Sequence, residues 1–122
     1  MKSKYFLIAL SLCCLSQTLK AEGIGYDTVA DAIEQLKQKD GTKTSVQGGW
    51  TIIEDSQDTS MVLWSFTPDI HPAHPTAVKR KVVERDNKIY IHMTALCQAE
   101  KVACDKLMSE FEKLNKQIMG SE

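Results

Sequence analysis

The stretch Thr67-Pro68-Asp69-Ile70-His71-Pro72-Ala73-His74-Pro75 holds all three prolines and two of the three histidines of the chain. Imidazole changes charge near neutral pH and is the commonest metal ligand. Proline fixes its own φ and pushes the preceding residue towards extended conformations, so His71 and His74 are expected outside any helix. Along a polyproline-II path, residues three apart share a face but sit about 9 Å from one another. Two imidazoles so placed do not chelate one ion unless the loop turns. A metal site would need a third ligand, Asp69 or His92, from a facing element, and the spacing matches none of the recurrent zinc patterns. The plainer alternative is a stiff loop whose histidines cap backbone groups or pack on a sheet. A stiff loop is also a preorganised recognition edge, because it loses little entropy on binding. Asp69, His71 and His74 are its candidate contacts, and the histidines would make binding sensitive to pH between about 5 and 8.

Lys79-Arg80-Lys81 follows closely and adds local positive charge suited to a phosphate or carboxylate. Strand alternation puts Lys79 and Lys81 on one face and Arg80 on the other. The competing role is a solvated strand whose lysines discourage edge pairing. Trp50, Trp64, Phe66 and Tyr90 stand at strand spacing, where aromatic residues more often form core than a ligand groove. Ser60 or Ser65 with His92 and an aspartate supplies the residue types of a hydrolase, but no nucleophile-elbow sequence surrounds either serine. No catalytic constellation stands out and no cofactor is expected.

The elements that must position these residues occupy one domain, since 122 residues leave no room for a second core. The first 21 residues read as a signal peptide. Lys2 and Lys4 precede the apolar run Tyr5 to Leu15, and Ser16 to Ala21 form a polar segment ending in a small residue. The run is too short to span a bilayer, and no transmembrane segment is expected in the mature protein. Removing residues 1–21 takes away Lys2, Lys4 and Lys20 and no acid, so 12 cations face 16 acids, a net of −4. That balance argues against nucleic acid as a partner.

Cys13 and Cys14 leave with the signal. Cys97 and Cys104 remain, and an even pair in an exported chain reads as one disulfide. Seven residues along one straight helix would separate their Cα atoms by roughly 10.5 Å, beyond disulfide reach. Cys97 is therefore expected in a loop before a helix, folded back on Cys104 in its second turn. C-x6-C is neither the redox nor the usual zinc spacing.

Val29, Ala32, Ile33 and Leu36 recur at helical spacing after a cap at Asp27 or Thr28, and Asp40-Gly41 is a natural stop. From Thr44 the period changes to two. Val46, Trp50 and Ile52 share one parity, with Gly48-Gly49 expected as a bulge in a single strand. A polar turn is expected from Asp55 to Thr59. Met61 to Phe66 follows as a central strand with Val62, Trp64 and Phe66 on one face. Val78–Val83 and Ile89–Leu96 form a hairpin about Arg85-Asp86-Asn87-Lys88, with Ile89, Ile91 and Met93 inward. Cys104, Leu107, Phe111, Leu114 and Ile118 mark a final amphipathic helix.

The expected fold is α+β over residues 22–122: an N-terminal helix, a four-stranded antiparallel meander, and a C-terminal helix, with both helices covering the apolar face. The expected role is a non-enzymatic binding or accessory domain of the bacterial envelope, periplasmic or secreted. Its partner would be an envelope protein or an anionic envelope polymer, recognised through Asp69, His71, His74, Lys79, Arg80 and Lys81. The alternatives are a periplasmic metal-binding protein using His71, His74 and His92, and a small hydrolase. The export expectation is checked by mass spectrometry of the native protein, which should find a chain beginning near Glu22. An intact Met1 terminus in a soluble cytoplasmic fraction would refute it.

Overall fold

The computed structural model describes residues 23–58 and 60–120. The expected signal peptide lies outside the described residues. The element order is α1 (Val29–Gln38), β1 (Thr42–Gln47), β2 (Trp50–Gln57), β3 (Ser60–Phe66), β4 (Thr76–Arg85), β5 (Lys88–Cys97) and α2 (Lys101–Met119). The five strands form one antiparallel sheet in sequence order.

The strand count is five, not four, because Gly48-Gly49 reverses the chain. Their φ angles are +59° and +86°, and Gln47 pairs with Trp50 across them. Two successive positive φ values make a two-residue hairpin turn whose twist suits antiparallel strands, and glycine adopts them without steric penalty. The reversal also undoes the shared parity expected of Val46 and Trp50. Val46 lies opposite Thr51 and is 69% exposed, whereas Trp50 packs on the other face. Asp86 and Asn87 make the equivalent turn between β4 and β5, at φ values of 55° and 64°. The polar turn expected from Asp55 is also displaced, since β2 runs on to Gln57 and Asp55 is buried.

The helices lie on opposite faces of the sheet, not on one. Val29, Ala32 and Leu36 of α1 pack with Ile53, Val62, Trp64, Phe66 and Ala77. Leu107 and Phe111 of α2 pack with Val78, and Trp50, Met93 and Ala95 lean on that cluster. The register explains the division. Val62, Trp64 and Phe66 lie across from Lys81, Lys79 and Ala77, so Val78 and Arg80 must face the other way. A sheet apolar on both faces needs a cover on each. The lead-in is anchored too. Ile24 is 2% exposed, and Tyr26 meets Trp64 edge-on with ring centroids 5.8 Å apart.

Each helix is tied down chemically. Thr28 caps α1 by accepting the Asp31 N–H at 3.0 Å. At its other end Lys39 Nζ donates to Asp55 Oδ2 at 2.6 Å, and that hydrogen bond holds the ammonium above its ordinary pKa. In α2 the apolar stripe is followed as far as Phe111. Beyond it the buried position is Asn115, while Leu114 and Ile118 are 41% and 45% exposed. The disulfide joins Cys97 to Cys104 with Cα atoms 5.9 Å apart. Cys97 is the last residue of β5 rather than part of a loop, so the bridge links sheet to helix directly.

Phe111→Ala should lower unfolding free energy by about 3–5 kcal/mol in urea titrations, because the ring fills the space between α2 and the sheet. Lys39→Met strands a buried carboxylate and should cost about 1–3 kcal/mol. A raised folded pKa means that the tie is complete below the ordinary lysine value and lost as pH rises through the raised one. The Lys39→Met penalty should therefore be the same from about pH 6 to pH 9.

Candidate functional site

The loop from Thr67 to Pro75 leaves β3 and returns as β4. It does not follow a polyproline-II path. His71 N–H donates to the Pro68 carbonyl at 3.0 Å and His74 N–H to the His71 carbonyl at 2.9 Å, making two consecutive turns. Pro72 takes the second position of the second turn, where its fixed φ is favoured. At the base, Thr67 N–H donates to the Thr76 carbonyl at 3.2 Å, and Thr76 N–H to Thr67 Oγ1 at 3.0 Å. Thr76, fully buried, donates its hydroxyl to the Ala73 carbonyl and lies 2.9 Å from Cys97 Sγ.

Both loop histidines are woven into this frame. His71 Nδ1 accepts the Ala73 N–H at 2.9 Å, and the ring meets Trp50 edge-on at 5.4 Å. His74 Nδ1 lies 2.9 Å from Thr67 Oγ1 and 3.2 Å from its carbonyl, while Nε2 is 3.6 Å from Asp69 Oδ1. Ile70 is 95% exposed at the loop tip, and sequence reasoning did not single it out. An apolar residue flanked by Asp69 and His71 in a proline-rich loop was the available signal.

Behind the loop lies a groove of about 570 Å³ between α1 and the sheet. Val29, Ala30 and Ile33 form one wall, and Pro68, Asp69, His74 and Pro75 form the other, with Phe66, Thr51 and Gln98 between them. Its two walls are tied together through one residue, Gln98. Gln98 Oε1 accepts the Val29 N–H of α1 at 3.1 Å, and the Gln98 N–H donates to the Pro75 carbonyl at 2.9 Å. Gly49 sits at the rim, where a Cβ would meet Pro68 at 3.4 Å.

The basic strand divides as alternation requires. Lys79 and Lys81 are on the α1 side, with Lys79 Nζ 5.5 Å from the Trp64 ring centroid. Arg80 is on the α2 side and only 7% exposed. Its guanidinium lies 5.1 Å from the Phe111 centroid, and Nη1 donates to Asn115 Oδ1 at 3.4 Å. Asn115 Nδ2 in turn donates to Met93 Sδ at 3.3 Å. Nε has no hydrogen-bond partner, and burial lowers the guanidinium pKa. Arg80 is thus enclosed by α2, apart from Lys79 and Lys81.

His71, His74 and His92 are not brought together. His71 leans on Trp50, His74 faces the groove, and His92 stands on β5 opposite Lys81. No group of three or more His, Cys, Asp or Glu side chains with metal-binding geometry occurs among the described residues. Ser65 is buried across from Val78, and so faces away from His92. Asp69, His74 and Thr67 do form a chain of polar contacts. Thr67 Oγ1 is buried there and occupied by the Thr76 N–H, which suits a structural strut rather than a nucleophile.

No family model matches the chain, and no curated protein or solved structure matches it either. Arg80→Met should stay within about 1.5 kcal/mol of wild type, because an apolar side chain of similar length replaces a buried charge without a carboxylate partner. Thermal melts of the purified variant check this. A loss of several kcal/mol would mean that the Asn115 contact carries the packing of α2.

Proposed function

We propose that this chain is an exported, non-enzymatic binding domain of the bacterial envelope, taking a partner at the proline–histidine loop and the groove behind it, with the lysines of β4 alongside. The observation that carries the reading is the exposure of Ile70 at the tip of a loop fixed from within by turns and side-chain hydrogen bonds. An apolar side chain held out on a rigid support is a binding anchor, because little conformational freedom remains to be lost when it is covered. The disulfide is compatible with an extracellular, oxidising location, and no helix among the described residues is long and apolar enough to cross a membrane.

A binding role also accounts for the histidines better than the alternatives do. The rings of His71 and His74 each have a structural partner in the loop, and His92 stands apart from them on β5. A partner seated over Ile70 would touch Asp69 and the exposed edge of His74.

The test is Ile70→Asp, assayed with the mature protein against envelope extract. Stability should change by less than about 0.5 kcal/mol, because the residue is at the surface. Partner capture should fall by about tenfold or more if Ile70 is the anchor. Capture equal to wild type would remove the loop from the site. In the double variant His71→Ala, His74→Ala, lost stability with capture retained per folded molecule would show that the histidines only hold the loop.

A further inference from the structure

The ionic side chains on the α1-side face of the β4–β5 ribbon, Lys79, Lys81, Arg85 and Lys88, are all cations. The register pairs Lys79 with Thr94, Lys81 with His92, Val83 with Tyr90 and Arg85 with Lys88, all on one side. Neither strand puts an acid there. Glu84, the one acid of β4, is paired with Ile89 on the opposite face, and β5 contains none. Asp86 sits at the hairpin tip, and the nearby Asp55 of β2 is already bonded to Lys39. A shallow cavity of about 310 Å³ opens on this surface, lined by Gly23, Lys79, Lys81, His92 and Thr94. In a chain with 16 acids and a net charge of −1, such segregation is not required by composition.

From these placements we propose that the ribbon face is a docking track for a linear polyanion, a polymer of repeating phosphate or carboxylate groups. This rests on the proposed binding role, carries it from the loop groove along the lysines of β4 beside it, and names the chemistry of the ligand there. Residues two apart on a strand are separated by about 6.6 Å and residues four apart by about 13 Å, so Lys79, Lys81 and Arg85 mark out about 20 Å of β4 that an extended polymer can follow. Lys88 of β5 adds a fourth cation beside Arg85. Single small anions would gain little from such a spread, whereas a polymer meets several cations at once, and a contact chain of that kind weakens steeply with salt.

Nucleic acid fits the face less well. Binding of single strands relies on open aromatic faces for base stacking. Of the two aromatic rings of this region, Trp64 is buried beneath Lys79, and Tyr90, 41% exposed, already carries the Arg85 guanidinium 4.8 Å from its centroid. The same arrangement braces the two cationic side chains in line with the track. Arg80, although adjacent in sequence, takes no part, because it is enclosed beneath α2 on the other side.

The experiment uses the mature protein and two probes, inorganic long-chain polyphosphate and polygalacturonate, with affinities measured across a salt series. Lys81→Glu with Lys88→Glu reverses two exposed charges of the track. Lys106→Glu with Lys113→Glu makes the same change in net charge on exposed positions of α2. The track variant should bind at least one probe thirtyfold more weakly than wild type at moderate salt, and the α2 variant should stay within threefold. The probe that binds tells a phosphate source from a carboxylate one. Equal losses in both variants would reduce the effect to net charge and overturn the track. So would no binding of wild type to either probe, or tighter binding to single-stranded RNA or to anionic lipid vesicles. None of the four substituted lysines lines the loop groove, so an Ile70→Asp result cannot stand in for this one.

Discussion

The fold is held together at one short junction, the dipeptide Cys97-Gln98. Cys97 ends β5, pairs with Thr76 at the start of β4, and is bonded covalently to Cys104 of α2. Gln98 reaches the other way, accepting from α1 through Val29 and donating from its backbone to the loop at Pro75. Both helices, the last strand and the proline–histidine loop are thereby fixed within two residues. A disulfide closing so short a segment supplies about 2.5 kcal/mol in the chain-entropy account. Its position matters as much as that energy, because it fixes where α2 can leave the sheet.

From that junction the two sides of the sheet acquire different characters. The α1 side carries the groove and the lysine-rich ribbon face. The α2 side carries Trp50, Phe111 and the enclosed Arg80. One strand, β4, serves both, since alternation sends Lys79 and Lys81 one way and Arg80 the other. A run of three basic residues is therefore two different things, surface charge and buried core. The guanidinium is accommodated because Phe111 offers an aromatic face and Asn115 a carbonyl oxygen, in place of a carboxylate.

Much of the fold was legible because its signals are local. The spacing of Leu107 and Phe111, the Asp86-Asn87 turn, the Thr28 cap and the pairing of Cys97 with Cys104 each depend on neighbours in sequence. The apolar run from Met61 to Phe66 likewise pointed to a central strand. What was not legible depended on choices that composition leaves open. Two glycines serve a bulge or a hairpin equally well, and only the pairing of Gln47 with Trp50 decides between them. Which face each helix takes is likewise a tertiary matter. For the site, the sequence marked the loop and its histidines but not Ile70 at its tip or the groove behind it. The burial of Arg80 was hidden as well, because a charged residue between two lysines carries no mark of its environment.

The meander bears on how the domain assembles. Every strand pairs with its neighbour in sequence, so the sheet can grow by successive hairpins, each closing only a short loop. One contact in the junction is of another kind. The bond from Val29 to Gln98 spans 69 residues and joins the first helix to the end of the last strand. That bond cannot form until β5 is in place, so the walls of the groove are tied together only when the last strand has joined the sheet. The groove between α1 and the loop is thus a late product of folding, and its opening by local detachment of α1 requires no strand to separate. Amide exchange would register this as weaker protection across Val29 to Gln38 than across β3 and β4.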